Sequence, residues 1–269
     1  MKEKMRIVIK VGTSTLTHES GALNLQRIEH MARVLADLHG MGHEVILVSS
    51  GAIAVGVAEL QMEKRPTELR YKQAAAAVGQ CNIMHIYDKL FSEYSCSVAQ
   101  ILLTGDDVDD PIRAEHLSNT FSALLEMGVI PIVNENDSVS SAEIETGHNK
   151  ILGDNDTLSA IVAKLCKADL LVLLSDIDGL FDADPRSNPD ARLISTVTEL
   201  TEEVMHLAGG SGTWRGTGGM ATKLNAAGIA MAAGVEMVIT NGSRMEDIYG
   251  IVAGQPIGTR FLASETGRE

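Results

Sequence analysis

Short apolar runs alternate with longer amphipathic segments along the chain. The runs are rich in β-branched residues and are bounded by glycine or small polar residues, which predicts buried strands. The predicted strands cover residues 5–11, 44–48, 98–103, 129–133, 170–174, 236–240 and, as a short final strand, 258–262. Because strands that alternate with helices usually pair in parallel, the pattern predicts an α/β fold. We expect a mostly parallel open sheet with helices on both faces.

Apolar residues at helical spacing follow most of these runs. The predicted helices cover residues 25–40, with Asn24 as the N-cap, and residues 67–94, 114–127, 199–207, 220–233 and 245–252. A further helix starts near Asn155 or Asp156, either of which is predicted as its N-cap. Gly79 is predicted to weaken the 67–94 helix, because glycine is a poor helix former.

The composition narrows the class of protein. The 269 residues are 45% hydrophobic and 22% charged, which suits a globular protein built as one large domain or two tightly joined lobes. The net charge of −14 argues against a nucleic-acid surface, which needs a basic footprint. The three cysteines lack metal-ligand spacing, so we expect reduced thiols in a cytosolic protein. No apolar run reaches membrane-spanning length, and residues 1–11 are too short and too charged for a signal peptide.

Two polar clusters lie in the connection between residues 129 and 164. Residues 134–137 (Asn-Glu-Asn-Asp) follow a predicted strand, and residues 153–156 (Gly-Asp-Asn-Asp) open a predicted helix. In an open α/β sheet these strand and helix ends border the ligand crevice, and a helix start adds free N–H groups with partial positive charge. A turn and a helix cap would explain either cluster alone. Their presence in one connection favours a site for a zwitterionic ligand.

Two small-residue turns follow the first two predicted strands. Lys10 lies in the first strand, where a lysine is costly to bury unless it emerges at the strand end. Residues 12–14 (Gly-Thr-Ser) and 49–52 (Ser-Ser-Gly-Ala) then permit close approach of a ligand to the backbone. The alternatives are an edge-strand lysine and plain loop residues. The acidic run 104–111 is predicted to be a solvated loop.

A glycine-rich segment, residues 209–219, opens a predicted helix with Lys223 on its first turn. Residues 216–221 match a relaxed dinucleotide fingerprint, but they do not directly follow the first strand of a unit, as that fingerprint requires. A Walker P-loop is excluded because Thr222, not glycine, precedes Lys223. A protein-kinase site is excluded because the chain lacks His-Arg-Asp and Asp-Phe-Gly. The remaining hypotheses are a phosphate site of backbone N–H groups plus one lysine, and a plain linker.

Six segments in order resemble the amino acid kinase family, over about residues 5–262. They are residues 10–14 (Lys-Val-Gly-Thr-Ser), 49–53 (Ser-Ser-Gly-Ala-Ile), 133–137 (Val-Asn-Glu-Asn-Asp), 153–156 (Gly-Asp-Asn-Asp), 183–186 (Ala-Asp-Pro-Arg) and 216–223 (Gly-Thr-Gly-Gly-Met-Ala-Thr-Lys). Within the family, the Asn-Glu-Asn-Asp segment and the single glycine after Lys10-Val11 resemble the members that phosphorylate glutamate. Aspartokinases and acetylglutamate kinases differ at these places.

The resemblance implies that ATP phosphorylates the γ-carboxylate of L-glutamate, which is the first step of proline biosynthesis. Lys10 and Lys223 would be the catalytic cations on the transferring phosphoryl group, and Asp154 would orient both lysines by charge pairing. The implied glutamate ligands are Ser50, Asn134, Asp137 and Asn155. The implied nucleotide ligands are Lys10, Ser175, Asp176, Thr217, Gly218, Gly219, Met220, Ala221, Thr222 and Lys223. Mg²⁺ is expected on the ATP phosphates, without a dedicated set of metal ligands in the sequence.

The resemblance also implies a single amino acid kinase domain over residues 1–269. An N-terminal lobe, about 1–165, would bind the amino acid, and a C-terminal lobe, about 166–269, would bind the nucleotide. Many members add a C-terminal RNA-binding-like PUA domain, and this chain resembles the short form without it. Proline is expected as a feedback inhibitor, and a cytoplasmic homo-oligomer, dimer or tetramer, is expected without nucleic-acid or membrane partners.

Two other hypotheses stay open at this point. One is a related kinase that acts on another small acid. The other is an amino-acid sensor that has lost its chemistry. The presence of Lys10, Asp154 and Lys223 together argues against a sensor.

Overall fold

The computed structural model describes residues 4–18, 20–139, 154–207 and 219–264. Within these residues, eight strands form one sheet. They are β1 (Arg6–Lys10), β2 (Glu44–Val48), β3 (Val98–Leu103), β4 (Ile130–Glu135), β5 (Leu170–Ser175), β6 (Thr196–Val197), β7 (Glu236–Asn241) and β8 (Thr259–Phe261). The predicted strands are confirmed with small shifts at their ends. Strand β6 was not predicted, because two residues are too few to show a period.

The strand order across the sheet is β3-β4-β2-β1-β5-β7-β8-β6. Neighbouring strands are parallel except for β7 and β8, which confirms the predicted mostly parallel sheet. Strand β1 lies in the interior of this order, and Lys10 is in register with Val48 of β2 and Leu173 of β5. The alternative of an edge-strand lysine is therefore wrong. Lys10 lies at the carboxyl end of an interior strand.

Helices cover both faces of the sheet. In the described residues they are α1 (Thr13–Leu16), α2 (Leu25–Gly40), α3 (Ala52–Glu59), α4 (Leu69–Ser92), α5 (Gly105–Asp109), α6 (Pro111–Glu126), α7 (Asn155–Leu165), α8 (Glu202–Leu207), α9 (Met220–Ala232) and α10 (Asp247–Val252). Asn24 caps α2 as predicted, since its side chain accepts from the Arg27 N–H. The short helices α1 and α3 replace expected turns, and α5 forms where a solvated loop was expected. No helix in these ranges is long and apolar enough to cross a membrane.

Each face of the sheet has its own hydrophobic core, because successive side chains along a strand point to opposite faces. Val8 of β1 packs in the core that includes residues of α6, α7 and α9. Its neighbours Ile7 and Ile9 pack in the core that includes residues of α2, α3, α4 and α10. All three are fully buried, as parallel strands covered on both sides require. The predicted arrangement of helices on both faces is confirmed.

Helices α3 and α4 cross at two glycines with their backbones in contact. A Cβ added at Gly56 would lie 1.8 Å from Ala75 O, and one added at Gly79 would lie 1.9 Å from Ala52 O. Only glycine fits at such a distance. Helix α4 runs unbroken through Gly79, although glycine was predicted to weaken it. Gly79 instead lets α4 hold α3 closely against it.

Candidate active site

A cleft of about 1330 Å³ lies at the carboxyl ends of β1, β2, β4 and β5 and at the amino ends of α3, α7 and α9. Pockets that hold one drug-sized ligand have volumes of roughly 300–1,000 Å³, so this cleft has room for two substrates. The predicted site residues that line it are Lys10, Ser50, Asn134, Asp137, Asp154, Asn155, Ser175, Asp176, Gly219, Met220, Thr222 and Lys223. Ala221 is not among the lining residues. Gly153 and residues 208–218, which include Gly216, Thr217 and Gly218, lie outside the described residues.

Two lysines meet on one buried carboxylate in this cleft. Lys10 Nζ lies 2.7 Å from Asp156 Oδ1, and Lys223 Nζ lies 3.0 Å from Asp156 Oδ2. The Thr222 hydroxyl donates to the same Oδ2 at 2.8 Å. Asp156 is 4% exposed and Lys10 is 8% exposed, so water screens their attraction only weakly. The carboxylate at the start of α7 thereby joins a lysine from β1 to a lysine from α9.

The two lysines keep Asp156 ionised in spite of its burial. Burial by itself would raise the pKa of Asp156, but the charges of Lys10 and Lys223 outweigh it and hold that pKa below its ordinary value. Two ammonium groups against one carboxylate leave a net positive charge. That charge suits an anion such as a phosphoryl group, and the shared carboxylate fixes where both ammonium groups lie.

The prediction that Asp154 pairs with the lysines is wrong. Asp154 is the N-cap of α7, and its Oδ1 accepts from Thr157 N at 2.9 Å. Its Oδ2 accepts from the Thr157 hydroxyl at 3.1 Å. The predicted N-caps, Asn155 and Asp156, lie inside the first turn instead. Asp and Asn are about equally good N-caps, so residue type alone did not distinguish Asp154 from Asn155 and Asp156.

Neutral hydrogen bonds organise the side of the cleft formed by β2 and β4. Asn155 Nδ2 donates to Ser49 O at 2.9 Å and to Ser50 Oγ at 2.7 Å. The same nitrogen lies 3.2 Å from Asn134 Oδ1. Ser49 Oγ is bonded in turn to the Tyr87 hydroxyl of α4 at 3.0 Å. Three of the predicted glutamate ligands are therefore tied into one polar surface. Ser49 lies in the small-residue turn that the sequence analysis singled out, but neither Ser49 nor Tyr87 was predicted as a site residue.

Acidic and basic side chains also line the cleft. Asp137 lies half-buried, shortly after the end of β4, with Glu135 nearby in the chain. Arg65, which lies between α3 and α4, lines the cleft as well and was not predicted. Nothing in the sequence around Arg65 distinguishes it from a surface arginine. Together these residues provide partners for both charges of a zwitterionic ligand.

The carboxyl end of β5 carries predicted nucleotide ligands. Ser175 Oγ donates to Asp176 Oδ1 at 3.2 Å, and Arg186 Nη2 lies 2.6 Å from Asp176 Oδ2. The side chains of Arg186 and Asp176 are 70% and 61% exposed, so this ion pair contributes little to stability and is accessible to a ligand. Leu180 and Phe181 add apolar surface to the same cleft. Because β1 separates β5 from β2 and β4, the cleft has two chemically different sides with the lysines between them.

Comparison with known proteins gives consistent results. The model of the amino acid kinase family matches residues 5–241. A glutamate 5-kinase of Clostridium perfringens (strain 13 / Type A) is 54% identical over 265 residues, which is 98% of each chain. A glutamate 5-kinase of Clostridium acetobutylicum is 56% identical over 257 residues, which is 96% of this chain and 94% of that one. Carbamate kinase from Giardia lamblia bound to AMP-PNP has a TM-score of 0.64 over 98% of this chain and 100% of its own, and at 18% identity this likeness concerns the fold alone.

Proposed function

Because the chain belongs to the amino acid kinase family, we propose that it transfers the γ-phosphoryl group of ATP to the side-chain carboxylate of L-glutamate. The products are ADP and γ-glutamyl phosphate, which begins proline biosynthesis. The observation that carries the chemistry is the pair of buried lysines on Asp156. The identity of 54% and 56% with glutamate 5-kinases over nearly the whole chain supports glutamate as the acceptor.

The reaction depends on positioning and charge neutralisation. The γ-carboxylate of glutamate is already an anion at neutral pH, so no general base has to create the nucleophile. One carboxylate oxygen attacks the γ-phosphorus and forms a new P–O bond. The bond to the bridging oxygen breaks, and its electron pair leaves with ADP. Because both reactants are negative, cations at the transferring group and fixed orientation lower the barrier.

Lys10 and Lys223 are the cations that we assign to the transferring group. Asp156 takes the orienting role that the sequence analysis gave to Asp154. Since Asp156 already holds both ammonium groups in the free protein, they need little rearrangement when the substrates bind. Preorganised charge of this kind is often the largest single contribution to catalysis.

The remaining residues divide between the two substrates. The proposed glutamate ligands are Ser50, Asn134, Asp137 and Asn155, on the lobe of about residues 1–165. The proposed nucleotide ligands are Ser175, Asp176 and residues 217–223, on the lobe of about residues 166–269. Mg²⁺ enters as part of the ATP substrate, held mainly by phosphate oxygens. The different chemistry of the two sides of the cleft supports this division.

A hydroxylamine trap tests the proposal directly. Hydroxylamine attacks an acyl phosphate and yields a hydroxamate, so the chain with ATP, Mg²⁺, glutamate and hydroxylamine should form γ-glutamyl hydroxamate. ADP release with a different small acid, and no hydroxamate from glutamate, would favour a related kinase. No ADP release with any acid would favour an amino-acid sensor.

Regulation and assembly follow as further proposals from the family. Proline shares the α-carboxylate and a cationic nitrogen with glutamate, so it would compete for the same polar side of the cleft. Titration of glutamate against a fixed proline concentration should relieve the inhibition, and inhibition that glutamate cannot relieve would indicate a separate site. We further propose a cytoplasmic homo-oligomer, dimer or tetramer, which light scattering of the purified chain would measure.

A further inference from the structure

A buried amide lies behind the glutamate side of the cleft and is not itself part of the cleft lining. Gln80 lies on α4 and is 9% exposed. Its Oε1 accepts a hydrogen bond from Asn134 Nδ2 at 2.9 Å. Asn134 is only 2% exposed, so water is a poor substitute for this acceptor. Gln80 therefore fixes the position of Asn134, which lines the cleft.

The bond to Gln80 fixes which way the Asn134 amide faces. Because Asn134 directs its nitrogen to Gln80, it directs its oxygen to Asn155 Nδ2, at 3.2 Å. Asn155 Nδ2 also donates to Ser49 O and Ser50 Oγ. The nitrogen of Asn155 is thus committed to protein acceptors. Among the described residues, no group donates a hydrogen bond to Asn155 Oδ1, and Asn155 lines the cleft.

The hydrogen bonds form a chain from α4 to the cleft, in which each amide determines the orientation of the next. Gln80 accepts, Asn134 donates and accepts, and Asn155 donates, which leaves an acceptor oxygen for an incoming donor. The α-ammonium group of an amino acid is such a donor. The Ser50 hydroxyl, which accepts from Asn155 Nδ2 at 2.7 Å, keeps its own hydrogen for an acceptor such as a ligand carboxylate.

We propose that Gln80 is a positioning residue that turns the acceptor oxygen of Asn155 toward the α-ammonium group of the substrate. The inference rests on the proposed glutamate kinase function. Without an acceptor at position 80, the buried Asn134 nitrogen has to seek another partner. If the Asn134 amide rotates, its nitrogen faces Asn155 Nδ2, and two donors then lie against each other. A rotated pair would present an N–H group to a cationic ammonium, which disfavours binding.

Two substitutions separate this role from a structural one. Gln80→Met keeps the length and approximate volume of the side chain and removes the acceptor. Gln80→Glu keeps an acceptor oxygen at the same reach. Asn82→Leu is the matched control, since it removes another side-chain hydrogen bond of α4, from Asn82 Nδ2 to Glu59 Oε2 at 3.0 Å, that does not join the amide chain.

Loss of a buried hydrogen-bond partner should change a binding equilibrium about tenfold, which corresponds to about 1.4 kcal/mol. We expect Gln80→Met to raise the glutamate KM about tenfold while the KM for ATP and kcat stay near the wild-type values. Gln80→Glu should keep a glutamate KM much closer to wild type. Asn82→Leu should lower the melting temperature slightly without changing the glutamate KM selectively.

The preference for glutamate over glutarate is the second measurement. Glutarate has the same two carboxylates as glutamate and no α-ammonium group. Gln80→Met should narrow the preference for glutamate over glutarate, since only glutamate uses the acceptor oxygen. An unchanged preference, or a parallel rise of the KM for glutamate, glutarate and ATP, would overturn the positioning role.

Measurements on the wild type distinguish a failure of the proposed function from a failure of the Gln80 inference. If the wild type forms hydroxamate and Gln80→Met shows an unchanged glutamate KM, only the Gln80 inference is wrong. If the wild type forms none, the proposed phosphorylation of glutamate is wrong. Calorimetric titration of glutamate into the wild type and both Gln80 variants then tests the inference, and equal affinities would overturn it.

Discussion

The cleft combines two polar regions that are held together in opposite ways. Where the lysines meet, Asp156 binds Lys10 and Lys223 through full charges. On the β2 and β4 side, Asn155 and Asn134 are joined through neutral amides. A buried charge that loses its partner costs about 3–5 kcal/mol, whereas an unsatisfied neutral group costs about 1–3 kcal/mol. The comparison teaches that full charge is placed where charge moves during the reaction, and neutral hydrogen bonds are placed where a ligand must be recognised.

The largest effect should come from removing either lysine. Lys10→Ala and Lys223→Ala should each lower kcat about 100- to 1,000-fold, the usual cost of a lost donor to developing charge. The fold should persist, because Asp156 keeps one cationic partner in each variant. Steady-state kinetics, with circular dichroism as the control, measures this.

Replacement of either lysine by arginine sharpens the same test. Arginine keeps the charge and replaces a compact ammonium group with a planar fork, so activity should be restored only in part. Near-normal kcat in an alanine variant would remove that lysine from the charged region.

A substitution behind the neutral region should have the next largest effect. Gly79→Ala places a Cβ 1.9 Å from Ala52 O, so α3 and α4 must separate. Overpacking of this kind costs about 1–3 kcal/mol in the free energy of unfolding. The glutamate KM should also rise, because α3 begins two residues after Ser50.

Gly40→Ala is the matched control for that substitution. A Cβ at Gly40 meets nothing within 4 Å, so stability should be unchanged or slightly improved. Urea unfolding of both variants measures the difference. Equal stability of the Gly79 and Gly40 variants would contradict the close crossing.

Asp137 is a charged residue on the amino-acid side of the cleft, where Asn134 and Asn155 are joined through neutral amides. A substitution there tests whether that side also binds its ligand through a full charge. If Asp137 binds the α-ammonium group, Asp137→Asn should raise the glutamate KM about tenfold or more, the value of a hydrogen bond between charged groups. The KM for ATP should not change. If Asp137 only stabilises a turn, asparagine makes most of the same bonds and the glutamate KM should stay near wild type.

The smallest effect concerns pH and the stability of the charged region. The lysines lower the pKa of Asp156 in the folded protein relative to its ordinary value of 3.8. A lowered pKa stabilises the fold above the ordinary value, and that contribution is lost as the pH falls through the folded-state pKa. Urea unfolding should therefore show a difference between wild type and Asp156→Asn that is constant above pH 3.8 and shrinks below it. A difference that is independent of pH would contradict the charge pairing.

The sequence predicted the main strands and helices because their hydrophobic periods are long and clear. It predicted that Lys10 would emerge at a strand end, since a lysine cannot be buried cheaply. It missed α5 because the acidic residues of the run 104–111 were taken as a solvated loop. In the structure, Thr104 and Asp107 form a capping box that starts a helix. It missed α3 because its small, apolar residues show little amphipathic period.

The details of the site were harder to predict than its location. Asp154 and Asp156 stand two residues apart in one segment, and only the exact start of α7 decides which of them caps the helix and which meets the lysines. Gln80 lies in an alanine-rich helix whose weak amphipathic pattern does not mark the buried side. Its role depends on contacts between distant segments, which local patterns do not encode.

The most direct test replaces Asp154 and Asp156 by asparagine in two separate variants. Asn is as good an N-cap as Asp, so Asp154→Asn should preserve the start of α7 and change kcat only slightly. Asp156→Asn removes the charge that holds both lysines and should lower kcat about 100-fold or more. Measurement of kcat for both variants under saturating ATP and glutamate compares them directly. A larger loss in Asp154→Asn, or equal losses in both, would contradict the central role of Asp156.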